Sequence, residues 1–218
     1  MPLALAIDLG GTKVEAALVD ETGALVEGSR HRHPTGAAAA TDVAVLQDAL
    51  ETVIAGCRTH PRWTEVGAAG IGSAGPVDVA AGTIAPINLP AAHGFDIVSA
   101  VREASGVDAA HLRLDGTCIA LAEAWLGAAR GVRNAIVFVV STGVGGGIVS
   151  DGRLVAGGTG NAGHLGQIVV ADIEGDAAAA TVEQRASGPH IVAWAREQGW
   201  SGTTGEELAA AYREGDAI

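Results

Sequence analysis

The residues that could do chemistry lie at the ends of apolar runs. Asp8 closes the run that begins at Leu3, and Gly10-Gly11-Thr12-Lys13 follows it. Two adjacent glycines strip side chains from a turn, so its backbone N–H groups can approach a ligand closely. A threonine hydroxyl and a lysine cation beside them suit an anion, most often a phosphate. A carboxylate at the strand end, Asp8, is the group that would hold a hydrated metal ion against that phosphate. The spacing is not that of the Gly-x-x-x-x-Gly-Lys-Ser/Thr loop. Taken alone, the stretch reads equally well as an ordinary hairpin turn.

The chain uses the same device twice. Val137 to Val140 ends in Ser141-Thr142-Gly143-Val144-Gly145-Gly146-Gly147, then Ile148-Val149, the turn Ser150-Asp151-Gly152 and a run from Arg153 to Ala156. The first copy has that order too: the run to Ile7, the glycine turn, Val14 to Val19, the turn Asp20 to Gly23 and a third run from Ala24. Two such copies predict duplicated halves that face one another and grip a polyphosphate from both sides. A second carboxylate, Asp115, ends the short run His111 to Leu114 and precedes a helical stretch. Its structural reading is the N-cap of that helix.

These groups need a scaffold. Thr41 is expected to cap a helix whose apolar face is Val43, Leu46, Leu50, Val53 and Ile54. A buried strand, Val66 to Ile71, feeds the turn-rich loop Gly72 to Asp78, and a short strand follows Gly82-Thr83. Phe95, Val98 and Val101 predict a second helix, His111 to Leu114 a strand, and Thr117 to Ala129 a third helix. Strands alternating with helices predict an α/β layout with parallel strands. Ligands then sit beyond the carboxyl ends of the strands, where Asp8, Gly72 to Gly75 and Asp115 all fall. In the second half, the glycine-rich loop 157–163 leads to His164-Leu165-Gly166-Gln167 and a strand Ile168 to Val170. An exposed acidic, alanine-rich loop is expected over Asp172 to Thr181, then helices at Val182 to Ala186 and Ile191 to Glu197. Thr204 with Glu207 makes a capping box for a last helix. A boundary near Asp115 to Gly131 divides the chain into a phosphate-binding lobe, 1–114, and a second lobe, 115–218.

Composition excludes several classes. With 48% apolar residues, 218 residues can bury a core, and a formal net charge of -12 opposes nucleic acid and anionic membranes as partners. No apolar run approaches the ~20 residues that span a bilayer. Cys57 and Cys118 have neither metal-ligand nor disulfide-framework spacing. With no signal peptide visible, a cytoplasmic protein is expected.

Together the motifs resemble the ROK family of bacterial sugar kinases and repressors, within the actin/hexokinase/Hsp70 superfamily. The residues that carry the resemblance are Asp8 to Lys13, Gly72-Ser73-Ala74-Gly75-Pro76, Leu114-Asp115-Gly116, Ser141 to Gly147, Ala162 to Gln167 and Val182-Glu183. Their order matches along essentially the whole chain. The resemblance implies an actin-like ATPase (ribonuclease H-like) fold of two lobes, with mixed sheets flanked by helices and the second lobe incomplete. It implies transfer of the ATP γ-phosphate to a hydroxyl of a hexose or N-acetylhexosamine. Asp115 is then the catalytic base. Gly10, Gly11, Thr12 and Lys13 with Thr142 and Gly143 grip the phosphates, and Asp8 holds Mg2+ through water. Gly75, Asn88, His164 and Glu183 fall where the family contacts its sugar. A histidine at 164, where many members carry Glu, is associated with bacterial N-acetylmannosamine phosphorylation and weakly favours that substrate over glucose. A homodimer is the family expectation.

The chain departs from the family pattern in four places. Leu114 stands for the usual Asn before the catalytic Asp, and Gln167 for the second His of the sugar/zinc motif. Asp172 to Thr181 holds no cysteine, so a zinc-free branch is implied. Members usually continue past this end, through a glycine-containing nucleotide segment and a helix returning to the first lobe, so a fragment or truncated product is expected. The competing functions are a non-catalytic sugar- or nucleotide-binding or regulatory protein, a sugar-responsive repressor and a sugar-independent ATPase. A repressor would carry a helix-turn-helix ahead of the first strand, which begins here at residue 3.

Overall fold

The computed structural model describes residues 2–170 and 177–215. β1 (Leu3–Leu9) and β2 (Lys13–Val19) form an antiparallel hairpin with Asp8 opposite Glu15. Leu3, Leu5, Ile7 and Leu9 are buried on one face of β1, so Ala4, Ala6 and Asp8 take the other. The run expected from Ala24 makes only a single bridge, Leu25 to Val19. The third strand is β3 (His31–Pro34), antiparallel to β2 at the sheet edge. The Asp20 carboxylate accepts the Thr22 and Ala24 N–H groups and fixes the intervening turn.

α1 (Val43–Arg58) buries Leu46, Leu50, Val53 and Ile54. Its cap is Asp42, whose carboxylate accepts the Ala44 N–H at 2.9 Å; the Thr41 hydroxyl instead donates back to Ala38 O. β4 (Val66–Ser73) runs parallel to β1. β5 (Val77–Asp78), β6 (Thr83–Ile84) and β7 (Phe95–Asp96) make a small antiparallel sheet. Phe95 therefore belongs to a strand, and α2 (Ile97–Ser105) starts after Asp96, whose carboxylate accepts the Ser99 N–H. β8 (Ala110–Leu114) pairs parallel to β4 and completes the five-stranded mixed sheet β3-β2-β1-β4-β8. α3 (Asp115–Trp125) begins two residues earlier and ends earlier than the sequence suggests.

β9 (Ala135–Val140), β10 (Val144–Ser150) and β11 (Arg153–Leu154) form an antiparallel sheet in the order β11-β10-β9, repeating that of β3-β2-β1. Gly145 to Gly147 are not turn residues, because β10 has already begun at Val144. Gly146 and Gly147 keep the strand bare so that α3 and the 163–166 loop can lie against it, whereas a Cβ on Gly145 would meet nothing within 4 Å. A Cβ on Gly146 would sit 2.0 Å from the Val137 carbonyl oxygen, and one on Gly147 2.5 Å from Ala120 Cβ. The reciprocal gap is at Gly116 in α3, where a Cβ would meet Gly146 N at 2.6 Å.

Ile168 to Val170 is no strand but a single bridge, Val169 to Thr181, after a 3-10 turn at Leu165–Gln167. Of the loop expected over Asp172 to Thr181, residues up to 176 lie outside the described residues. Ala177–Ala180 form a 3-10 turn and Ala180 is buried. α4 (Val182–Ala186), α5 (Gly188–Glu197) and α6 (Gly205–Glu214) follow, and α6 opens with the capping box of Thr204 and Glu207. No helix among the described residues is long and apolar enough to cross a membrane.

Candidate active site

Cross-strand register sets out the first cluster. Asp8 lies opposite Glu15 on β2 and Gly72 on β4, and Gly72 lies opposite Arg113 on β8. Glu15 is held by Arg30 and by Arg32 at 2.7 Å, with the Lys13 amine at 3.7 Å. These bonds, Arg30 first, hold the Glu15 carboxyl below the usual carboxylate range. Asp8 shifts the other way. Partial burial raises its pKa; the Lys13 charge opposes this and the Glu15 charge adds to it.

Asp115 is raised as well. Burial is the largest cause, opposed by a 2.6 Å hydrogen bond from the Gly116 N–H, with the Asp8 charge raising it and His164 lowering it. Asp115 is not the cap of α3. Leu114 occupies that position without a side-chain cap bond, because the chain is already helical at Asp115. Asp8 and Asp115 line one cavity of about 600 Å³, walled also by Gly72, Arg113, Cys118 and Ile119. Burial beside both carboxylates pushes the Cys118 thiol up to about 11, so it stays protonated at neutral pH.

The loops around this cavity bring in the other side chains. The segment after β4 is tied to β1 by the Ala74 N–H donating to Leu9 O at 2.9 Å. At Gly75 a Cβ would lie 2.4 Å from Leu114 Cδ1 and 2.8 Å from His164 Nε2, so the three residues meet only because position 75 is bare. Asn161, which the sequence reading passed over, delivers His164 there. Its Oδ1 accepts the Val77 N–H at 2.8 Å and its Nδ2 donates to Val77 O at 2.6 Å. The available signal was an amide flanked by the glycines of the 157–163 loop. Asn88 rides on a loop joined to Gly75 through the Ile87 N–H, and its amide lies on Gly11, where a Cβ would fall 1.7 Å from Nδ2. Asn88 is thus placed against the first glycine turn.

The second turn has its own cluster. The Ser141 N–H donates to Gly143 O at 2.9 Å, closing the turn. Among the described residues, the Thr142 and Gly143 N–H groups have no hydrogen-bond partner, which leaves two adjacent donors for an anion. Glu183 Oε2 accepts the Val144 N–H at 2.8 Å, and Gln167 Nε2 reaches Glu183 Oε1 at 3.4 Å. Beside Ser141 and Thr142 opens a cavity of about 880 Å³, bounded by Val192 and Arg196 of α5 and by Thr204 and Glu206 at the start of α6. Nothing local in the sequence marks it, because its walls are brought together only by the packing of α5 on α6.

No group of three or more His, Cys, Asp or Glu side chains is placed to hold a metal ion among the described residues. The oxygen donors present, Asp8 and the nearby Asp115, suit Mg2+. That ion keeps several waters, takes one or two carboxylates plus substrate phosphates, and would relieve the repulsion between the two carboxylates.

A mixed sheet with flanking helices, repeated in part in the second half, defines an actin-like ATPase fold. The chain belongs to the ROK family, whose pattern matches residues 4–218. It is 37% identical over 196 residues to an N-acetylmannosamine kinase of Citrobacter koseri, a match covering 88% of this chain and 64% of that protein. A ROK family glucokinase from Streptomyces griseus, solved with glucose and AMPPNP, has a TM-score of 0.78 at 27% identity, covering 98% of this chain and 72% of that one. The ROK hexokinase from Thermus thermophilus has a TM-score of 0.72 at 30% identity, covering 98% and 70%. The chain thus spans about 64% of the length of the curated relatives it matches.

Proposed function

We propose that this chain carries the phosphoryl-transfer and sugar-contact machinery of an ATP-dependent kinase for a hexose or N-acetylhexosamine. The observation that carries the reading is the convergence of Asp8, in the last two residues of β1, with Asp115, Gly75 and His164 at the carboxyl ends of β4 and β8. Names of relatives in both substrate groups, N-acetylmannosamine and glucose, support it. His164 tilts the choice toward N-acetylmannosamine.

In this reading Gly10, Gly11, Thr12 and Lys13 hold the phosphates from one side and the Thr142 and Gly143 N–H groups from the other. The nucleoside enters the cavity beside Thr142. Gly75, Asn88, His164 and Glu183 face the sugar. The Asp115 carboxylate accepts the proton of the sugar hydroxyl as that oxygen bonds the γ-phosphorus, and the bond from the γ-phosphorus to the bridging oxygen breaks to leave ADP. Asp8 would hold Mg2+ through water, and the ion would supply charge neutralisation to the phosphates. The catalytic lobe division at 114/115, a cytoplasmic location, a homodimer and the lack of a nucleic-acid partner belong to the same proposal.

A coupled ADP-release assay with a sugar panel tests it. Turnover is expected only with sugar present. Sugar-independent release would instead indicate an ATPase, and sugar binding without turnover a regulatory protein, the reading that the apolar Leu114 beside Asp115 favours. Zinc has no place in this account, because Gln167 replaces a histidine and residues 172–181 hold no cysteine. A structural zinc site needs four N or S ligands, so purified protein should carry no stoichiometric zinc. One tightly held zinc per chain by elemental analysis would contradict that.

A further inference from the structure

β5 stands at the edge of the small sheet β5-β6-β7. Pro76 O and Asp78 O are taken on the β6 side, by the Ala85 and Gly82 N–H groups, both at 2.8 Å. Val77 and Val79 therefore turn their peptide groups to the free edge, where they need partners of their own. Those partners come from the other half of the chain. The Asn161 side chain, 84 residues away, accepts the Val77 N–H with its Oδ1 at 2.8 Å and donates from its Nδ2 to Val77 O at 2.6 Å. Nδ2 also donates to the Thr159 hydroxyl at 2.8 Å, and the Val79 N–H donates to Thr159 O at 3.2 Å, further along the same edge.

A side-chain amide carries a carbonyl and an NH₂ side by side, so it can offer one residue of a strand the donor and acceptor that a neighbouring strand would. Gly160 makes the approach possible: its φ is +97°, and a Cβ there would fall 2.3 Å from Val79 Cγ2. From this docking point the loop runs directly to the site. The His164 N–H donates to Asn161 O at 3.4 Å, and Gly75, whose Cβ position lies 2.8 Å from His164 Nε2, precedes Val77 by two residues. Both sides of the meeting between Gly75 and His164 are thus fastened by one amide.

We propose that Asn161 is a positioning residue for the sugar pocket: its side-chain amide stands in for a strand partner of β5 and so holds His164 against Gly75. The role deepens the kinase reading and rests on it for its effect on sugar. The test takes Asn161→Leu and Asn161→Asp, which are close to Asn in size but lack the paired donor and acceptor, alone and combined with His164→Ala. Both should speed amide hydrogen exchange at Val77. In calorimetric titrations both should weaken binding of N-acetylmannosamine or glucose, whichever the parent takes, about tenfold. MgATP affinity should stay within about twofold, because no nucleotide contact is touched. In the His164→Ala background the same changes should cost less than about twofold more in sugar affinity, since a residue acting through His164 has nothing left to position. Parent-like sugar affinity in both variants, an equal loss of sugar and MgATP, or a loss that adds in full to that of His164→Ala would overturn the proposal. Should the parent bind neither sugar, the kinase reading fails and the His164 imidazole resonances decide the positioning role. They should shift in Asn161→Leu more than those of the other histidines, and unmoved resonances would overturn it.

Discussion

Asp115→Asn should lower sugar phosphorylation by about 10²–10⁴-fold, the usual contribution of a general base, without lowering the melting temperature. The two halves of that expectation have one origin. Burial and the Asp8 charge raise the Asp115 pKa in the folded protein, so its ionised form is disfavoured there relative to the unfolded chain. A raised carboxyl pKa gives stability that is present at low pH and lost as pH rises through the folded value. At neutral pH the charge is thus a cost to the fold, and the neutral amide removes it. A helix cap would behave in the opposite way, but Asp115 is the first helical residue rather than the cap. The same shift sets the pH profile. Turnover should fall as acidity protonates Asp115, with a midpoint above the ordinary carboxylate value of about 3.9. Turnover within a few-fold of the parent, or an acid limb at or below the ordinary value, would remove Asp115 from the mechanism.

Gly146→Ala should be among the most damaging single changes to the fold. The new Cβ would lie 2.0 Å from the Val137 carbonyl oxygen and 2.8 Å from Leu165 Cδ1. The first of these is backbone in the neighbouring strand and has nowhere to go. Overpacking of this kind costs about 1–3 kcal/mol, occasionally more. Separation of β9 from β10 would also disturb the turn between them. Gly145→Ala is the control, because a Cβ there meets nothing within 4 Å and the backbone is ordinary strand. Chemical denaturation should show a large drop in stability for the first and little change for the second. Equal stabilities would show that the glycines of β10 are not there to admit close neighbours.

The same residues explain why parts of the molecule were legible in sequence and others not. β1, the hairpin, α1 and the capping box of α6 follow from short-range rules: alternation, a glycine pair, helical spacing, and Thr204 three residues before Glu207. Asp8 and Asp115 could be found because they end apolar runs. The glycines of β10 were misplaced into a turn, since glycine is depleted from strands and its reason for being there is the backbone of distant segments. β3 was missed because an exposed edge strand can be polar, and His31-Arg32-His33 shows no apolar alternation. Thr41 and Asp42 are both good caps one residue apart, and only the helix start separates them. The attachment of Glu183 to Val144, 39 residues away, has no local signal at all.

The central claim is that the two glycine turns and Asp115 together move a phosphoryl group onto a sugar. The most direct test follows labelled γ-phosphate from MgATP into product with N-acetylmannosamine and with glucose, for the parent chain and for Asp115→Asn. The account predicts a phosphorylated sugar from the parent with at least one of the two and almost none from the variant. Label released only as inorganic phosphate, or sugar phosphate formed equally by both proteins, would contradict it.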